Sequence, residues 1–185
     1  MLDSPAPLPV NGLDLAALDE TLAAVAADPR LGRVAFRVKT EWKGRTRSES
    51  TVDSCTLAGE VVPRRFTISA DEPHGLLGTD TAPNPQELLM SAVNACLMVG
   101  YVAQASVLGI RLDSCRIETE GELDLRGFLG LDEGVPSGYR RLAYTVFLAG
   151  DGTREQFEDI HQSVMTTSLN YFNLAEPIQM IGRLA

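Results

Sequence analysis

Residues 88–110, LLMSAVNACLMVGYVAQASVLGI, contain no charged side chain and carry Cys96 near their middle. The entrance to this run is well marked. Asn84 can accept as an N-cap, Pro85 fits the first helical position where its missing N–H is harmless, and Glu87 completes a capping-box spacing. The pattern predicts a helix from Pro85 to about Leu108, where Gly109 supplies a left-handed stop, a length of roughly 35 Å at 1.5 Å per residue. A membrane span has the same length and lack of charge. Asn94, Gln104, Ser91, Ser106 and Tyr101 interrupt the run, however, and no cluster of Lys or Arg flanks it. The expectation is therefore a buried central helix in a protein that does not enter a membrane.

Composition sets the frame around that helix. With 185 residues the chain is long enough for one domain with a sizeable core. Sixteen basic against twenty-five acidic residues give a net charge of -9, which disfavours nucleic acid and anionic membranes as partners. The start, MLDSPAPLPVNG, has an early acid and no long apolar stretch, so it does not read as a secretory signal and a cytoplasmic location is expected. Cys55, Cys96 and Cys115 are odd in number and show no metal-ligand spacing, so neither a structural disulfide nor a metal or other cofactor is expected.

Around the helix the elements follow from periodicity. Residues 1–30 read as a proline-rich arm and a short amphipathic helix, LDLAALDETLAAVAA, closed by Asp28 and Pro29; residues 31–185 read as the main domain. RVAFRVKTEW, SESTVDSCTLAG and EVVPRRFTISAD are expected to form an antiparallel meander. RLDSCRIETEGELDL and YRRLAYTVFLAG suggest a second hairpin with a long, mobile, glycine-rich tip. Thr153 is placed to cap a helix TREQFEDIHQSVMTTSL with an apolar stripe of Phe157, Ile160, Val164 and Met165, and IQMIGRL after Pro177 is expected to pair as a last strand. The fold class is thus α+β, an antiparallel sheet with a long buried central helix. A helix apolar on every side needs more cover than one small sheet gives, so an intertwined homodimer is expected.

The stretch PNPQELLMSAVNACL, preceded by HGLLGTDTA and followed by TSLNYFNLAEPI, resembles the OsmC/Ohr family, the osmotically induced and organic-hydroperoxide-resistance proteins, over roughly residues 33 to 185. The resemblance implies an α+β homodimer with active sites at the subunit interface and thiol-dependent reduction of organic hydroperoxides, Cys96 standing where the family has its reactive cysteine. Such chemistry needs a thiolate, and a free thiol with a pKa of about 8.5 needs a cation or hydrogen-bond donor to provide it. Cys96 lies too far along its helix for the dipole to serve. The KGRTR turn matches the region where active members place an arginine, which makes Arg45 and Arg47 candidates; an exposed hairpin tip is the alternative reading.

Two departures from the family pattern stand out. The glutamate expected ten positions before the reactive cysteine is Gln86, whose carbonyl oxygen could still accept from a guanidinium. The resolving cysteine of a Cys-Pro motif aligns with Ser168, which cannot form the disulfide that clears a sulfenic acid. A reactive Cys96 therefore needs an external thiol reductant, with a small organic hydroperoxide as substrate. The alternative is a catalytically silent dimer that binds a small apolar ligand at the same place. Cys55 and Cys115, in strands, read as buried small hydrophobes. His74 lies beside the glycine loop and His161 on the penultimate helix, each more simply a polar rim group than half of a Cys/His pair. Tyr101, Met98, Tyr171 and Phe172 could wall an apolar pocket or simply pack in the core.

Overall fold

The computed structural model describes residues 9–184. The proline-rich arm therefore lies outside the described residues up to position 8. Among those described, the chain forms two compact units, residues 14–89 and residues 9–13 together with 90–184, with the division falling inside the central helix.

The first unit begins with α1 (Leu15–Ala27), whose N-cap Asp14 accepts from the Ala17 N–H and whose end is set by Asp28 and Pro29 as expected. Its sheet comprises β1 (Val34–Phe36), β2 (Lys39–Trp42), β3 (Ser48–Leu57) and β4 (Glu60–Ala70). β3 is central: β4 lines one edge, while β1 and β2 pair antiparallel with successive parts of the other. The single strand expected over 33–42 is thus broken at Arg37 and Val38. Phe36 faces Cys55 and Lys39 faces Thr51, so two residues on one side stand against three on the other, and the β3–β4 register shifts at the same level, between Val52 and Ser54. On the β1/β2 edge the extra residue lies in β3, whereas on the other edge it lies in β4, where Asp53 alone stands against Arg64 and Arg65, so both ladders are bulged at this level. The β3–β4 turn uses Ala58 and Gly59, both at positive φ, the backbone of a tight two-residue hairpin.

The central helix, α2, is Pro85–Val107. Its capping box is as expected: the Glu87 N–H donates to Asn84 Oδ1 at 2.8 Å and the Asn84 N–H donates to Glu87 Oε2 at 2.7 Å. Gly109 sits at φ 70° just past the end. The helix is long and apolar enough to cross a membrane, yet Val93, Leu97, Tyr101, Ala105 and Ser106 are buried within the protein. Burial is confined to that stripe. Val99 and Val107 remain open, so a single chain leaves part of this helix uncovered.

In the second unit, α2 packs on the hairpin β5 (Leu112–Gly121) and β6 (Leu142–Gly150) and on α4 (Arg154–Thr167). Leu97, Ile160 and Val164 are essentially solvent-free, and burying side chains of this size contributes about 1.5–3 kcal/mol each. Gly100 permits the close approach of α2 and α4, since a Cβ there would lie 3.1 Å from Val164 Cγ1. Two of the interrupting polar residues find partners here: Thr119 Oγ1 donates to Asn94 Oδ1 at 2.5 Å, and Ser106 Oγ accepts from Asn11 Nδ2 at 3.0 Å. Asn11 also donates to the Ile110 carbonyl and accepts from the Leu112 N–H, so residues 9–13 fasten the end of α2 to the start of β5.

Three further expectations need correction. The glycine-rich tip is built rather than loose: α3 (Leu125–Phe128) is capped by Asp124, which also pairs with Arg126, and Gly127 lies where a Cβ would strike the Pro136 carbonyl. The penultimate helix stops at Thr167, and Ser168 starts a separate helix, α5 (Leu169–Ala175). IQMIGRL forms no ladder with any described residue, and Met180, Ile181 and Leu184 stay exposed. Its alternation supplies a face for a strand, but a strand also needs an open edge to pair with, which residue order does not reveal.

Candidate functional site

Two helices bring the thiol and its neighbours together. Cys96 projects from α2, half-buried, at the level where α4 ends and α5 begins. Ser168, itself buried, is the N-cap of α5: its Oγ accepts from the Tyr171 N–H at 3.3 Å and donates to Cys96 Sγ at 3.4 Å. The Asn170 N–H, one of the orphan donors of that first turn, points at the same sulfur at 3.5 Å. The Asn170 side chain donates to the Ala92 carbonyl at 2.8 Å, which pins α5 against the turn of α2 that precedes the thiol. A sulfur met by a hydroxyl and an amide is placed where negative charge on it would be stabilised by hydrogen bonds.

The structure thus joins Cys96 and Ser168, as the alignment of the Cys-Pro position implied. The other candidates belong to the first unit. Arg45 occupies the β2–β3 turn at φ 51°, its carbonyl accepting from Trp42 Nε1 at 2.8 Å. Arg47 lines a small polar cavity with Lys43 and Glu49. Gln86 is exposed near the start of α2, about 15 Å along the helix from Cys96, and its side chain makes no hydrogen bond among the described residues. Cys55 is buried in β3, and burial pushes the Cys115 thiol up, so both fit the reading of small core residues. His74 Nδ1 lies 3.3 Å from the Gly78 carbonyl within its own loop.

Residue order did not point to three features. Asn170 as a sulfur neighbour could have been anticipated only by taking Ser168 as a helix cap. The second feature is Asp71, fully buried after β4, which gathers the hydroxyls of Thr46, Thr79 and Thr81 and the N–H groups of Glu72, Thr79 and Thr81. The Thr79 hydroxyl holds its carboxyl well below the usual carboxylate range, outweighing the burial that opposes this. The third is a pair: Tyr101, fully buried, meets His161 Nδ1 through its hydroxyl at 2.5 Å. Of the expected pocket wall, Tyr101 and Tyr171 pack in the core, whereas Phe172 is exposed.

The model of the OsmC-like protein family matches residues 78–181, which takes in the loop, the central helix, its cysteine and everything up to the C-terminal segment. The chain belongs to the OsmC-like proteins. Solved structures agree on the fold of this OsmC-like protein. An OsmC-like protein from Mycoplasma pneumoniae gives a TM-score of 0.60 at 12% identity, with 76% of this chain and 86% of that one covered. A Psychrobacter arcticus protein named for osmotic stress induction and detoxification response gives 0.54 at 13%, covering 72% and 84%. An OsmC-like protein of unknown function from Vibrio cholerae gives 0.50 at 16%, covering 74% and 90%. At such identities the likeness is one of fold alone. No curated protein matches the sequence.

Proposed function

We propose that this OsmC-like protein is a cytoplasmic thiol peroxidase, in which Cys96 reduces a small organic hydroperoxide and an external thiol restores it. The observation that carries the reading is the half-buried sulfur of Cys96 with Ser168 Oγ at 3.4 Å and the Asn170 N–H at 3.5 Å. The thiolate attacks one peroxide oxygen; an S–O bond forms as the O–O bond breaks, and the alkoxide leaves with a proton as the alcohol. Sulfur is oxidised to the sulfenic acid. A small thiol then displaces hydroxide, which departs as water, to give a mixed disulfide; a second thiol releases Cys96 and leaves as the oxidised disulfide. Arg45 and Arg47 are assigned the supply of positive charge that favours attack, and Gln86 the orientation of a guanidinium.

Stoichiometric cumene hydroperoxide followed by dimedone trapping and mass spectrometry tests this. Cys96 is expected to be sulfenylated well ahead of Cys55 and Cys115, and loss of Arg45 or Arg47 to alanine is expected to slow that step roughly tenfold or more, the scale of one displaced charge contact. Labelling of Cys96 no faster than the other two would sink the peroxidase. It would favour a second reading, a silent dimer binding a small apolar ligand, for which Ser168 in place of a resolving cysteine is the supporting observation.

The working form is proposed to be a homodimer. The first unit's sheet leaves Phe36, Trp42, Val61 and Phe66 more than half exposed, an apolar surface that a soluble protein normally covers. Residues 33–70 also hold eight of the sixteen Lys and Arg but only four of the twenty-five acidic residues, so this sheet is basic on an otherwise acidic protein and suits a second copy. Light scattering should give twice the chain mass. Trp42→Glu should lower that mass towards a single chain; a monomeric wild type would remove the proposal.

A further inference from the structure

We infer that the cleft between β6 and α4 binds a small, uncharged aromatic carbonyl compound, its oxygen accepting a hydrogen bond from His161 Nε2. The cleft has a volume of about 660 Å³, within the range of small-molecule sites, and lies wholly in the second unit. Its walls are apolar and partly aromatic, with Tyr144, Val146 and Leu148 from alternate positions of β6 facing Phe157 of α4. Thr145, Gln162, Arg154 and Glu158 also line it, but the polar group fixed in orientation by the core is the His161 ring, nearly coplanar with Tyr101 at 11° and tilted at 55° against Tyr144.

The tautomer follows from the hydrogen bond beneath it. The Tyr101 hydroxyl is solvent-free, burial keeps it protonated by pushing its pKa up, and among the described residues His161 Nδ1 is its only hydrogen-bond partner. A buried phenol must donate its proton, so Nδ1 accepts, and a neutral imidazole that accepts there carries its own proton on Nε2. Nε2 lies across the ring from that bond and has no partner among the described residues, so it offers a single N–H to whatever occupies the cleft. Tyr101 is thereby a positioning residue for His161.

Charge at the rim narrows the class. Arg154 is the only cation in the lining, and its guanidinium is engaged by Glu158 at 2.8 Å, one turn along the same helix. Glu158 already balances the charge of this exposed guanidinium, so an anionic ligand gains little from it, and a cationic one would meet no free carboxylate in the lining. An uncharged molecule with one acceptor and a flat apolar body fits walls, donor and rim together.

Benzophenone serves as the probe, since it has the proposed carbonyl and aromatic body and cross-links on irradiation. Saturable labelling of the full-length protein is expected on peptides containing Tyr144–Leu148 and Phe157, with a ¹⁵N shift at His161 Nε2 on binding. His161→Phe should weaken binding roughly fivefold, the worth of one hydrogen bond. Gln162→Trp, an exposed rim position, should close the cleft and abolish site-specific labelling while the circular dichroism is unchanged. Labelling scattered over the exposed sheet, or unaffected by Gln162→Trp, would overturn the inference, as would an unmoved His161 resonance on saturation. Cys96 plays no part in this test, so its outcome is separable from the peroxidase reading.

Discussion

Replacing Ser168 with cysteine is expected to convert a protein that cannot lock its oxidised thiol into one that does so within the chain. On adding one equivalent of cumene hydroperoxide, Ser168→Cys should lose both free thiols of the pair together and gain a peptide cross-link between the segments holding Cys96 and the introduced sulfur. The geometry argues for it directly: Ser168 Oγ already stands 3.4 Å from Cys96 Sγ, and the buried N-cap position holds the new side chain in the same place. A disulfide needs its sulfurs at about 2.05 Å, so a closure of little more than 1 Å suffices. Two substitutions sharpen the reading. Cys96→Ser in the same background should abolish the cross-link, and Cys115→Ser should leave it intact, because that thiol is kept protonated by burial in β5. A Ser168→Cys protein that accumulates sulfenic acid without forming the cross-link would mean that the two side chains diverge in solution. In wild type the same logic predicts that oxidised Cys96 persists until an external thiol arrives.

What could be read from residue order follows the range of the interactions involved. The start of α2 was legible because Asn84 and Glu87 satisfy each other across Pro85 within four positions, and its end because glycine at 109 takes the required positive φ without a Cβ penalty. The Thr153 cap of α4 is local in the same way, with the Gln156 side chain returning to the Thr153 N–H at 2.8 Å. The break in the first strand was not legible, because it answers to an extra residue in β3 that lies more than ten positions away. IQMIGRL has a strand's alternation but forms no strand among the described residues, because alternation alone supplies no edge to pair with. Cys96 was found through the apolar helix and the family resemblance, and Ser168 through the resemblance alone. Asn170 and the Tyr101–His161 pair depend on how α4 and α5 return to α2, a distance of some sixty to eighty positions that no spacing rule covers.

Asp71→Asn is expected to produce the largest loss of stability among polar substitutions, and to change how stability depends on pH. The carboxylate accepts six hydrogen bonds and ties the end of β4 to the β2–β3 turn through Thr46 and to the loop 79–81 that leads into the α2 capping box. An asparagine keeps the shape but turns one acceptor into a donor, aimed at hydroxyls and amides that are donors already. Gly78 leaves the loop no room to adjust, since a Cβ there would lie 1.6 Å from the Glu72 carbonyl oxygen. The pH dependence follows from the lowered pKa. A carboxyl held lower in the folded state than in the unfolded chain contributes fully above its unfolded value of about 3.9, and loses that contribution as pH falls towards the folded value. Between those limits the unfolded chain binds one more proton, so wild-type stability should fall with pH by an extra slope that Asp71→Asn lacks. Chemical denaturation from pH 7 to pH 3 measures this. The variant should be much the weaker at neutral pH, and the gap should narrow below about pH 4, where the unfolded wild-type carboxyl protonates. A gap that stays constant over the acid range would show that Asp71 acts through shape and not through its charge.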